Sequence, residues 1–149
     1  MAFPEDADPN NPTELDRMRL AFGVFVGRRI VEADGILDID EIDLLTMAFP
    51  NAWMETCGFI DEATQLTPAC RAAYDDACKI LPVSLSLPEK LDLITLFHRT
   101  CMADGELHER ELAILMSAAQ LLHVQGADLR EHLLDLRGTG PLVPAIRKG

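Results

Sequence analysis

Two stretches of this chain place carboxylates in a repeated pattern. Residues 33–45 read ADGILDIDEIDLL and residues 103–115 read ADGELHERELAIL. The alanines that open them stand 70 positions apart, and both copies follow A-D-G-x-L-x-x-x-E-[I/L]-x-x-L. Self-similarity of this kind marks a duplicated structural unit. In each copy a glutamate follows an Asp-Gly pair, six residues past the glycine: Asp34, Gly35 and Glu41, then Asp104, Gly105 and Glu111. An EF-hand loop spaces its glycine and its bidentate glutamate in the same way. Leu37 and Leu107 take the apolar place between them. The front of the loop differs, because Ile30 and Thr100 would stand at its first position and Glu32 and Met102 at its third. The likeness to a calcium loop therefore covers its back half only.

Charge density gives the pattern a chemical reading. Glu32, Asp34, Asp38, Asp40, Glu41 and Asp43 crowd the first copy, and Asp104, Glu106, Glu109 and Glu111 the second. Some of these acids favour a helix N-terminus, but so many repel one another unless a cation or a basic partner is near. Ca²⁺ or Mg²⁺ is the natural guest for oxygen ligands of this type. The competing reading is helix punctuation. Glycine closes one helix, Asp38 caps the next, and Glu41 reaches back to complete a capping box. Such a cap contributes ~1 kcal/mol without any ligand. The second copy fits that reading less well, because His108 stands at its cap position.

Other constellations are weaker. His98, Cys101, Asp104 and His108 cluster around the second copy and could serve a transition metal, although Cys101 falls on the core face of its helix. His123 and His132 lie in helices with no partner evident from spacing. No nucleophile–base–acid arrangement surrounds Ser84, Ser86 or Ser117, and no glycine-rich phosphate loop is present. A metal-dependent hydrolase built on the clustered acids ranks last for that reason.

The elements that must position these residues read as helices. Thr13 caps a first helix that runs to about Ala33, with Leu15, Met18, Phe22, Phe25 and Val26 at helical spacing. Gly23 and Gly27 within it mark a close helix crossing. A second helix starts near Asp38 and stops at about Pro50. A short helix around Trp53 and an irregular connection follow. Thr67-Pro68 opens a helix that Pro82 limits at about Leu81. Ser86-Leu87-Pro88-Glu89 caps the helix leading into the second Asp-Gly pair, a helix from about His108 to Val124 comes next, and the last begins at Asp128 and closes at Gly138. The expected fold is all-α, a compact bundle of roughly seven helices with an internal pseudo-repeat of helix–turn–helix units. Residues 1–12 read as a flexible N-terminal tail, 13–138 as one domain and 139–149 as a C-terminal tail.

Composition narrows the function classes. The chain has 149 residues, of which 48% are hydrophobic and only 5% aromatic, a mix that suits packed helices. A net charge of −12 repels phosphate backbones and anionic membranes, which argues against nucleic acid as a partner and favours cations or basic proteins. No apolar run reaches membrane-spanning length, and the four cysteines, without a CxxC pair, read as reduced, buried thiols of a cytoplasmic protein.

The two Asp-Gly motifs, each expected between two helices, resemble the TerB-like superfamily over about residues 14–137. That superfamily includes the tellurite-resistance proteins of that name and the N-terminal region of a membrane-anchored DnaJ-type co-chaperone. The resemblance implies an all-α fold of duplicated helical pairs, metal suspected at the Asp-Gly turns, and a role in stress-response or membrane-associated assemblies rather than catalysis. Carried across, the implied ligands are Asp34 and Glu41, then Asp104 and Glu111. With Asp38 these form the candidate metal set, and no catalytic residue is expected. The expected function is a non-enzymatic interaction or sensing module with a protein partner, cytoplasmic and at most peripheral to the inner membrane through that partner. The alternative is a purely structural or homodimerising domain without metal.

Overall fold

Local capping chemistry starts the helices where the sequence places it. In the computed structural model, which describes residues 7–8, 10–33, 39–104 and 109–138, helix α1 spans Glu14–Glu32. The Thr13 hydroxyl accepts from the Asp16 N–H and the Asp16 carboxylate accepts from the Thr13 N–H, both at 3.0 Å. Two of the orphan donors at this helix start are satisfied reciprocally. Helix α2 spans Ile39–Ala48 and α3 spans Asn51–Thr56. Helix α4, Pro68–Ser84, begins on Thr67, whose hydroxyl accepts from the Cys70 N–H and donates to the Gly58 carbonyl. Helix α5, Leu87–Cys101, repeats the capping box with Ser86 and Glu89. A single 3-10 turn, Met102–Asp104, extends it. Helices α6, Glu109–Leu121, and α7, Gly126–Gly138, complete the chain.

The described residues form seven α-helices and no strand, an all-α bundle as expected. One isolated antiparallel bridge, Ile60 with Leu66, closes the connection between α3 and α4. Asp61 Oδ1 holds that loop by accepting from the Ala63 and Gln65 N–H groups, each at 2.9 Å. No helix among the described residues is long and apolar enough to cross a membrane.

Helix α5 is the hub. It meets α1, α2, α6 and α7, while α1 also lies along α4 and touches α2 and α6. Phe22, Phe59, Phe97, Ile94, Leu115 and Leu122 are fully buried between them. Phe22 sits between Tyr74 and Phe97, its ring centroid 6.0 and 6.1 Å from theirs, in the range where aromatic pairs attract. The pseudo-repeat is visible in register, since α2 starts at Ile39 and α6 at Glu109, the same 70-residue interval as the motifs. The first helix of each half packs on the second helix of the other half, α1 on α6 and α5 on α2.

The glycine pair of α1 does mark a close crossing. A Cβ on Gly23 would fall inside the Phe49 ring, and one on Gly27 would lie 2.6 Å from Leu45 Cδ2. Bare backbone at these two positions lets α2 settle against α1.

Three boundaries differ from expectation. Helix α4 passes through Pro82 to Ser84. The proline lies in the last turn, where the helix has few bonds left to lose, and the burial of Leu81, Pro82 and Leu85 offsets the lost one. Helix α6 stops at Leu121 rather than Val124, because His123 adopts a left-handed φ of 60°. Its N–H donates to the Gln120 carbonyl and that of Val124 to Ala119, the paired bonds of a Schellman ending. Helix α7 begins at Gly126, before Asp128.

Candidate functional site

The described flanks of the two Asp-Gly turns lie side by side. Helix α1 delivers the first turn and ends at Ala33, whose N–H donates to the Ile30 carbonyl. Helix α5 and its 3-10 turn deliver the second, and α2 packs against Met102–Asp104. Arg110, at the start of α6, sends its Nη1 to the Ala33 carbonyl at 3.1 Å. A residue just past the second turn is thus bonded to the residue just before the first. The guanidinium also neutralises the partial negative charge at the C-terminal end of α1.

Of the five candidate ligands, Asp34 and Asp38 lie outside the described residues, as does His108. Glu41 belongs to the first turn of α2 and Asp104 to the 3-10 turn, so the fold carries both to the region where α2 meets the second turn. Glu111 is 2% exposed, although it sits in the first turn of a helix that begins with exposed Glu109 and Arg110. Water is excluded from this carboxylate, and burial of that kind demands hydrogen-bond or cationic partners. Among the other acids of the first copy, Glu32 pairs with Arg28 at 3.8 Å and Asp43 is exposed. Among the described residues no group of three or more His, Cys, Asp and Glu is arranged to hold a metal ion.

Donor chemistry is the test of fit that these residues allow. The five offer carboxylate oxygens only, a set that suits Ca²⁺ or Mg²⁺ and not a soft metal. The transition-metal grouping is different. Cys101 is fully buried in the core, and His98 is half-buried between α5 and α7. Burial, and secondarily the nearby His132, pushes the His98 imidazole below its ordinary pKa. The Cys57, Cys70 and Cys101 thiols are buried and Cys78 is half-buried, none of them in a disulfide, and burial raises Cys70 to about 11.

Two features of this region escape sequence reading. Arg110 occupies the place that Asp40 holds in the first copy, so the repeat alignment carried a signal in the reversed charge. The other is a clamp between helix starts. Arg19, 6% exposed, pairs with Asp16 at 3.9 Å and with Glu89 at 2.5 Å. It ties the capping box of α1 to that of α5, the two helices that deliver the turns. The Ser86 backbone N–H, together with Arg19, holds the Glu89 carboxyl below the ordinary carboxylate range. His132, without an evident partner in the sequence, lies 2.7 Å from the Thr95 hydroxyl.

Searches of the curated proteins and of the solved structures matched nothing. The family model described as "Tellurite resistance protein TerB" matches residues 24–133, a span that runs from the middle of α1 into α7 and contains both Asp-Gly motifs. With the duplicated helical pairs and their exchanged packing partners, that match makes this chain a member of the TerB family.

Proposed function

We propose that the chain is a non-catalytic TerB module that takes Ca²⁺ or Mg²⁺ at its paired acidic turns and presents that face to a protein partner in a stress-response or membrane-associated assembly. The observation that carries this reading is the bond from Arg110 to the Ala33 carbonyl, which brings the flanks of both turns together. Carboxylates gathered from two turns repel one another, and a divalent ion relieves that repulsion where a monovalent one does so weakly. Glu111 and Asp104 would be the ligands of the second turn; Asp34, Asp38 and Glu41 would supply the first. When bound, the ion would supply charge neutralisation and rigidity. Calorimetric titration with Ca²⁺ and with Mg²⁺ tests the reading. Saturable heat that Asp34→Asn weakens is expected, and the absence of heat and of any melting shift at millimolar ion would refute it.

A second reading has an observation of its own. Arg110 already places a cation at the C-terminal end of α1, so the turns could be stable as helix punctuation in a structural or dimerising domain. On that reading, Asp34→Asn with Asp104→Asn leaves stability unresponsive to either ion and biological activity intact. Loss of activity in the folded double variant would count against it.

A further inference from the structure

Away from the paired turns, helices α5, α6 and α7 enclose a groove of about 670 Å³, within the volume range of small-molecule sites. Its walls are His98 from α5, Leu112 and Met116 from α6, and Arg130, Leu133 and Leu134 from α7. The apolar side chains are not withdrawn from solvent, since Met116 is 49% and Leu134 56% exposed. The polar groups run against the character of the molecule. In a chain of net charge −12, no carboxylate among the described residues lines this groove, while a guanidinium and an imidazole do.

Arg130 is exposed and makes no ion pair with the described residues. Arg17, Arg28 and Arg71, by contrast, each meet an acid three or four residues away on their own helix. The acids closest to Arg130 in sequence, Asp128 and Glu131, are two and one positions away, where helical side chains do not face each other. A guanidinium left over beside an apolar trough is complementary to one carboxylate joined to one hydrocarbon chain.

We propose that this groove binds an amphipathic monocarboxylate of the fatty-acid type. The carboxylate pairs with the Arg130 guanidinium and is within the reach of a His98 hydrogen bond, and the chain lies along Leu112, Met116, Leu133 and Leu134. This site is independent of the cation reading, because it uses none of the five candidate ligands.

Calorimetry on the full chain with decanoate, decanol and decyltrimethylammonium, each below its aggregation concentration, tests the proposal. Decanoate should bind saturably, and the neutral and cationic amphiphiles should bind roughly tenfold more weakly or not at all, as expected when a charge-assisted bond is lost. Arg130→Gln should weaken decanoate by a similar factor and Arg130→Lys should restore part of it. Leu134→Asp should abolish binding. Both side chains are exposed, so these variants should fold, with unchanged far-ultraviolet circular dichroism. Equal affinity for all three amphiphiles, or decanoate binding untouched by Arg130→Gln, would overturn the proposal. So would a chain that sediments as a dimer and becomes monomeric in Leu134→Asp, which would place a second copy in the groove.

Discussion

Replacing Gly23 by alanine should cost stability, while the same change at Gly27 should cost little. Intrinsic propensity favours both substitutions by roughly 1 kcal/mol, because glycine is a poor residue for a helix interior. The difference comes from what each new methyl meets. At Gly23 it enters the Phe49 ring, a rigid group that is 4% exposed and packed into the core. Overpacking of this kind typically costs ~1–3 kcal/mol, so against the propensity gain the net change should be a loss of up to about 2 kcal/mol. At Gly27 the methyl meets the branched end of Leu45, with Cδ2 at 2.6 Å and Cδ1 at 3.0 Å. Leu45 is only half-buried and can rotate aside, leaving a net effect within about 0.5 kcal/mol of zero. Urea unfolding followed by the fluorescence of Trp53, the only tryptophan and 3% exposed, would read both variants from their midpoints. If Gly23→Ala proved as stable as Gly27→Ala, the close crossing would not be what seats α2, and the placement of the first turn would need another cause.

Three further outcomes follow from capping geometry. Arg19→Met should destabilise the chain by roughly 1–3 kcal/mol, below the full cost of breaking a buried pair, because the Glu89 side chain is 44% exposed and solvent screens it. The Glu89 carboxyl titrates lower in the folded chain than its ordinary 4.5. Its stabilisation is therefore complete above that value and is lost as pH falls through the lowered one. The stability gap between the wild type and Glu89→Gln should then be full above 4.5 and shrink as pH falls below it; urea midpoints on either side of that value check it. His123→Gly should raise the melting temperature, because the residue is exposed, holds a φ of 60° and gains about 1 kcal/mol when its Cβ is removed.

What could be read from the sequence was local. The Thr13 cap, the Thr67-Pro68 start and the Ser86–Glu89 capping box involve residues three apart or adjacent, and all three appear where the residue types put them. The duplicated helix pairs were legible because the 70-residue repeat keeps its register into α2 and α6. Long-range bonds were not. Arg19 to Glu89 and Arg110 to Ala33 join residues 70 and 77 positions apart, and nothing local distinguishes those arginines from others. The spacing of Leu112, Leu115, Ala119 and Leu122 extends a helical reading through His123, yet the burial of Leu122 and Val124 holds His123 in a left-handed turn. The groove between α5, α6 and α7 depends on how three helices converge, which periodicity does not specify.

The two halves are joined by Arg110 and by the packing of α2 on the second turn, so a cation bound there should be felt in both copies at once. The backbone amides of Gly35 and Gly105, followed by heteronuclear NMR during a Ca²⁺ titration with Mg²⁺ as comparison, test this most directly. The account predicts saturable shifts at both glycines that follow one binding curve and are reduced together by Asp34→Asn. Amides that stay in place at millimolar ion, or that drift without saturation along with the rest of the acidic surface, would contradict it.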